Sequence, residues 1–176
     1  MPDSEYTGKR RVSSGGAPRG ARRPDAPTPC PEWDVQALVD HLVTEQLWTP
    51  QLLGGKTTEE VGTSSGRTRS ARGTPRRPGG VRAGVLDQLV HLSYGTVDAA
   101  EYCQEMISDL LVHAWDLARG IGADERLHPE LVRLVYDQYA PRADELHQLG
   151  LFDAPVPVPD DADPQTTLIA LFGRRP

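Results

Sequence analysis

The chain has 176 residues and a formal charge of −6, a length that fits one domain with or without tails. No run approaches the ~18 consecutive apolar residues of a transmembrane helix. The basic N-terminus is followed by no apolar stretch, which argues against a secretory signal, and two cysteines cannot make a disulfide framework, so a reducing cytoplasm is expected.

The charge divides the chain into unlike parts. Residues 1–23 carry six basic side chains and two acids, residues 61–83 carry six arginines and no acid, and the remainder balances at −16. Gly, Ser, Pro and Arg dominate both basic segments, with too few large apolar residues to bury. A disordered basic tail is therefore expected at 1–26 and a disordered Arg/Gly/Pro-rich insert at about 61–83. A single domain is expected over 27–176. Residues 27–33 read as a rigid, proline-punctuated lead-in.

Asp34 is placed to N-cap the first helix, whose apolar stripe is Val35, Leu38, Val39 and Leu42. Gly54-Gly55 should end it, unless Pro50 kinks or ends it earlier. No amphipathic element can be drawn from 56 to 83. Residues 86–96 suggest a short strand or hairpin turning at Tyr94-Gly95. The clearest segment is a long helix from Val97 to Arg119 with Gly120 as its C′ residue. Its expected inward stripe is Met106, Leu110, His113 and Leu117, widened by Tyr102, Cys103, Ile107 and Leu111. A further helix starts at Pro129 and presents Leu131, Leu134, Val135 and Tyr139. Pro141 should kink or end it, with Leu146 and Leu149 on a later turn. A loop follows to Pro164, and a final helix carries Leu168, Ile169, Leu171 and Phe172. The fold class is all-α, a small bundle with little strand.

Bundles build sites from groups on inward helix faces. Asp109 and His113 stand four residues apart on the long helix, one turn from each other on one face. His41 borders the apolar stripe of the first helix. Two imidazoles and a carboxylate from two helices would make a three-ligand set for zinc or a related divalent ion. A half-buried His41 bonded to a backbone carbonyl is the ordinary alternative. Spacing does not choose among Asp109, Asp116 and Glu45 as carboxylate, nor between His41 and His91 as imidazole. Asp116 reads either as the support of a ligand histidine or as a surface partner. Cys30 and Cys103, with Trp33 and Trp48, read as structural, and Trp115 as packing or as a pocket wall.

Thr-Pro-Cys-Pro-Glu-Trp-Asp-Val-Gln-Ala-Leu-Val-Asp-His-Leu-Val (28–43) resembles the opening motif of the mycothiol-dependent maleylpyruvate isomerase-like metal-binding domains, within the DinB-like helical-bundle superfamily. Asp-Leu-Leu-Val-His-Ala-Trp-Asp-Leu-Ala-Arg (109–119) is a second match. Pro-Val-Pro-Val-Pro-Asp-Asp-Ala (155–162), followed by Leu-Ile-Ala-Leu-Phe-Gly-Arg (168–174), looks like the C-terminal signature of a small actinobacterial branch. The resemblance covers 27–60 and 84–176. It implies an up-down DinB-like bundle, here with a degraded or missing first helix, and a metal triad falling on His41, Asp109 and His113. The family usually has Glu at the middle position, so Asp109 is one methylene shorter.

The implied chemistry is that of a thiol-dependent transferase or isomerase, in which a metal-bound thiolate attacks a small electrophile. The metal would be divalent, zinc first, and the thiol mycothiol or a similar small molecule. A non-catalytic metal-binding module is the alternative. Nucleic-acid binding through the arginine-rich segments is disfavoured, since neither interleaves aromatics and the remainder is acidic. A homodimer is among the expected assemblies. The family pattern breaks off at both basic segments, as out-of-frame translation of GC-rich DNA would make it, which would leave an impaired relative.

Overall fold

The computed structural model describes residues 24–31, 33–62, 84–148 and 153–176. Most of the tail and insert expected at 1–26 and 61–83, any helix preceding Pro24, and the packing expected of Leu146 and Leu149 lie outside the described residues. At the edges of those segments, Ala26 is buried and Val61 fully so.

The first helix, α1, spans Val35–Leu52, and the Asp34 carboxylate accepts the Ala37 N–H at 2.8 Å. That bond satisfies one of the donors a helix start leaves open. Pro50 sits in the last turn without ending the helix, and Gly55 reverses the chain at φ +89°. Where no element was expected, residues 58–62 are helical. Thr57 and Glu60 explain this turn, because each side chain accepts the other's backbone N–H, at 2.9 and 3.3 Å. The turn delivers Val61 into the core.

A 3-10 turn at Val85–Asp87 leads into a hairpin of β1 (Leu89–Leu92) and β2 (Gly95–Asp98). Pairing is antiparallel, with Val90 opposite Val97 and Leu92 opposite Gly95. The long helix, α2, is therefore Ala99–Ile121, two residues later at its start than the spacing suggests, because Val97 is held in the ladder. Its left-handed terminating residue is Gly122 (φ +69°), not Gly120. Gly120 lies inside the helix, where an added Cβ would come within 3.1 Å of Val35 Cγ2 and 3.2 Å of Thr28 Cγ2. The lead-in crosses α2 there.

Next come α3 (Pro129–Tyr139), a 3-10 turn at Ala140–Arg142, α4 (Ala143–Gln148) and α5 (Pro164–Leu171). Asp163 caps α5 by accepting from the N–H groups of Gln165 and Thr166. The fold is mostly helical with one two-stranded hairpin. Helix α1 packs on α2, and α3 packs on α2 and α5.

Two apolar clusters result. One joins the far end of α1 and Val61 to the hairpin and the start of α2, through Leu52, Val90, Ala99 and Tyr102. The other joins the second half of α2 to α3 and α5, through Leu111, Val112, Val132, Val135, Leu168 and Phe172. Leu110, Leu131 and Leu134 were expected inside and are exposed. On α2 and α3 the buried face is rotated by about one position from the leucine count, and on α2 it includes Ser108, His113 and Asp116.

Candidate metal centre

The site lies on α2 between the two clusters, where Met106 faces one and Val112 the other. His41 is carried in from α1 by the helix that Asp34 starts. Its Nε2 is 3.2 Å from both carboxylate oxygens of Asp109. His113 Nε2 is 3.4 Å from Asp109 Oδ1. Among the described residues these three form the group whose ligand atoms all fall within 4.8 Å of one another. The structure thus brings together His41, Asp109 and His113, and the shorter Asp109 side chain still reaches both rings.

The surroundings differ around the set. The His113 side chain is 9% exposed, while those of His41 and Asp109 are 24% and 25% exposed. Trp33 leans over both imidazoles, with ring centroids 4.6 Å from His41 and 5.2 Å from His113. The two imidazoles stand nearly edge to face at 5.1 Å. Behind His113, Asp116 is fully buried and its Oδ2 lies 2.9 Å from His113 Nδ1. Arg174 donates to the same carboxylate from Nη2 at 2.9 Å and from Nε at 3.3 Å.

Charge assigns the protons. Burial pushes Asp116 up, but hydrogen bonds from His113 and Arg174 outweigh it and hold its carboxyl below the usual range. An ionised Asp116 has no proton to give, so His113 carries its hydrogen on Nδ1 and turns Nε2 toward Asp109 and His41. The His41 imidazole is pushed above its ordinary value, first by its hydrogen bond to Asp109, against desolvation and with Glu45 adding its field. Glu45 is itself pushed up by burial, opposed by His41. Two imidazole nitrogens and a carboxylate converging from two helices need a shared proton or a cation between them. The donor set fits a divalent ion of the zinc type, with Asp116 orienting His113 from behind.

The rival candidates are placed elsewhere. Glu45 feels the charge of His41 and Asp109 but stands outside the converging group. His91 is exposed on β1, its Nδ1 3.0 Å from Thr96 Oγ1. Asp116 supports and does not face the centre. Trp115 is buried with the Arg119 guanidinium 4.2 Å over its ring, so it packs and does not wall the site. Cys103 is half-buried, its thiol pushed up by desolvation. Sequence reasoning missed Trp33 as the aromatic wall, and it included Arg174 in the 168–174 motif without foreseeing its contact with Asp116. Trp33 immediately precedes the N-cap, a position whose side chain commonly folds back on the helix.

The pattern of a known family supplies an independent view. Residues 10–93 match the mycothiol maleylpyruvate isomerase N-terminal domain. The match begins within the basic N-terminal segment, runs through 61–83 and ends in the hairpin, so it includes His41 and stops short of Asp109 and His113. Two uncharacterised proteins from two strains of Mycobacterium tuberculosis are each 29% identical to this chain, covering 84% of it and 83% of their own length. No solved structure matches significantly. Among the described residues no helix is long and apolar enough to cross a membrane.

Proposed function

We propose that His41, Asp109 and His113 hold a divalent metal ion, zinc first, and that the centre serves a reaction between a small thiol and a small electrophile. One observation carries the metal assignment: three donors from two helices converge within 4.8 Å, while His113 is fixed from behind with Nε2 turned toward the other two. Three protein ligands leave coordination positions open, as catalytic zinc sites require. The thiol is mycothiol on the strength of the family match over residues 10–93. When bound, the ion would lower the pKa of a coordinated thiol so that its thiolate attacks at neutral pH. The chain's own part is to present the ligands, to set the proton on His113 Nδ1 and to cover the two rings with Trp33.

The deciding experiment is metal analysis of the purified protein beside His113→Ala. About one divalent ion per chain is expected in the first and none in the second, and equal content in both removes the assignment. Thiol consumption across a panel of electrophiles tests the catalytic half. Full metal occupancy without any thiol turnover would leave a non-catalytic metal module.

A further inference from the structure

Arg174 reaches from the C-terminal segment to the carboxylate behind His113, and its position is built rather than incidental. Helix α5 ends at Leu171, and Gly173 then turns the chain at φ +78°. A Cβ at that glycine would lie 2.4 Å from Asp153 Cβ, so a side chain there would displace the turn. The Gly173 N–H donates to Ala170 O at 3.0 Å and the Arg174 N–H to Ile169 O at 3.2 Å. The guanidinium is thereby aimed inward, donating from Nη1 to Phe172 O at 2.9 Å and from Nη2 and Nε to Asp116. Its side chain is only 10% exposed. Asp116 Oδ2 thus accepts from His113 and Arg174 at once, and 58 residues of chain separate Asp116 from Arg174.

We infer that Arg174 is a positioning residue for the candidate metal centre, acting through Asp116 to fix the ring orientation and tautomer of His113. Docking of the C-terminal turn and affinity for the metal are then coupled. With Arg174 in place, the Asp116 carboxylate is oriented by two donors and faces His113 Nδ1, which leaves Nε2 as the ligand atom. Without it, the buried carboxylate keeps a single donor and can rotate, and the His113 ring loses its fixed partner. Coupling is reciprocal, so an ion on the other face of His113 must also steady the C-terminal turn. This inference rests on the metal reading above, but its tautomer component can be tested without metal.

The test uses the full chain with zinc ion as probe. Zinc affinity is measured by competition with a chromophoric chelator in wild type, Arg174→Met and Arg174→Lys. Backbone amide exchange at Gly173 and Arg174 is followed in wild type with and without zinc. Arg174→Met should bind zinc about tenfold more weakly, the lower end for loss of an outer partner of a ligand histidine. Arg174→Lys should recover part of that loss, and zinc should slow exchange of the two amides. Unchanged affinity in a folded Arg174→Met overturns the inference. Should that variant not fold, unchanged affinity in Arg174→Lys together with zinc-insensitive exchange in wild type overturns it equally. Should wild type bind no zinc, the metal reading fails by itself. Nitrogen NMR of the His113 ring above its titration range then decides the rest: hydrogen on Nδ1 in wild type, lost or mixed in Arg174→Lys, supports the positioning role, and the same tautomer in both overturns it.

Discussion

The two histidines of the centre are held in opposite ways. His113 is buried and anchored through Nδ1 to a fully buried carboxylate that is itself pinned by an arginine. His41 is half-buried, bonded through Nε2 to the carboxylate that would share its metal, and touched from one side by Trp33. A ring fixed from behind keeps one ligand atom in place whatever stands in front of it. A ring fixed only from the front must change partners when an ion arrives. The centre therefore has a preset half on α2 and an adjustable half on α1, and the desolvation of buried charge is concentrated in the preset half.

The largest way to break this asymmetry is to remove Asp116. Asp116→Ala leaves the guanidinium of Arg174 nearly buried and unpaired, and should cost about 3 kcal/mol of stability, the low end for breaking a buried pair. Chemical denaturation of the metal-free protein checks it, and a loss no larger than that of a surface substitution would mean that the preset half is not preset. An intermediate effect is expected from pH. The Asp109 hydrogen bond pushes the His41 imidazole above its ordinary value near 6.5, so that bond contributes stability fully below the ordinary value and loses it as pH rises through the folded one. The thermal unfolding temperature with a chelator present should decline as pH rises above about 6.5, and Asp109→Asn should abolish the decline. Zinc affinity should climb over the same window, because the ligands must shed protons to bind. The smallest effect belongs to Trp33→Ala, about 1 kcal/mol or less, the scale of one aromatic contact at a half-open site. A larger loss of stability than in Asp116→Ala would reverse the comparison.

How far the sequence shows these things depends on how local their causes are. Asp34 as a cap and Gly55 as the end of the first helix were legible because capping and left-handed turns are decided within four or five residues. The Asp109–His113 pair was legible because i,i+4 spacing dictates a shared face. The sequence places the end of α2 at Gly120 and the structure at Gly122, since both are glycines near the terminus and only Gly122 takes the left-handed conformation. Leu110 reads as inward because Ser108 and Asp116, which share the buried face of α2, are polar and an apolar count passes over them; on α3 it is Val132, not Leu131 or Leu134, that shares the buried face of Val135 and Tyr139. The turn at 58–62 did carry a local signal, Thr57 with Glu60, obscured by the arginine-rich stretch after it. Arg174 closes the 168–174 motif, but its role carries no local signal: its partner stands 58 residues earlier, and nothing around the arginine announces a buried carboxylate.

Gly120 has a reach beyond its own packing. The lead-in crosses α2 where that glycine exposes backbone, and the same lead-in ends in Trp33, the ring that overhangs both imidazoles. The lead-in and Trp33 thus behave as a lever whose fulcrum is a missing methyl group. Any side chain at 120 would lift the near arm, and the far arm would register it as a change in how much water His41 and Asp109 see. A substitution about two turns of helix away from the donors could in this way alter the chemistry of the centre without touching a single one of them.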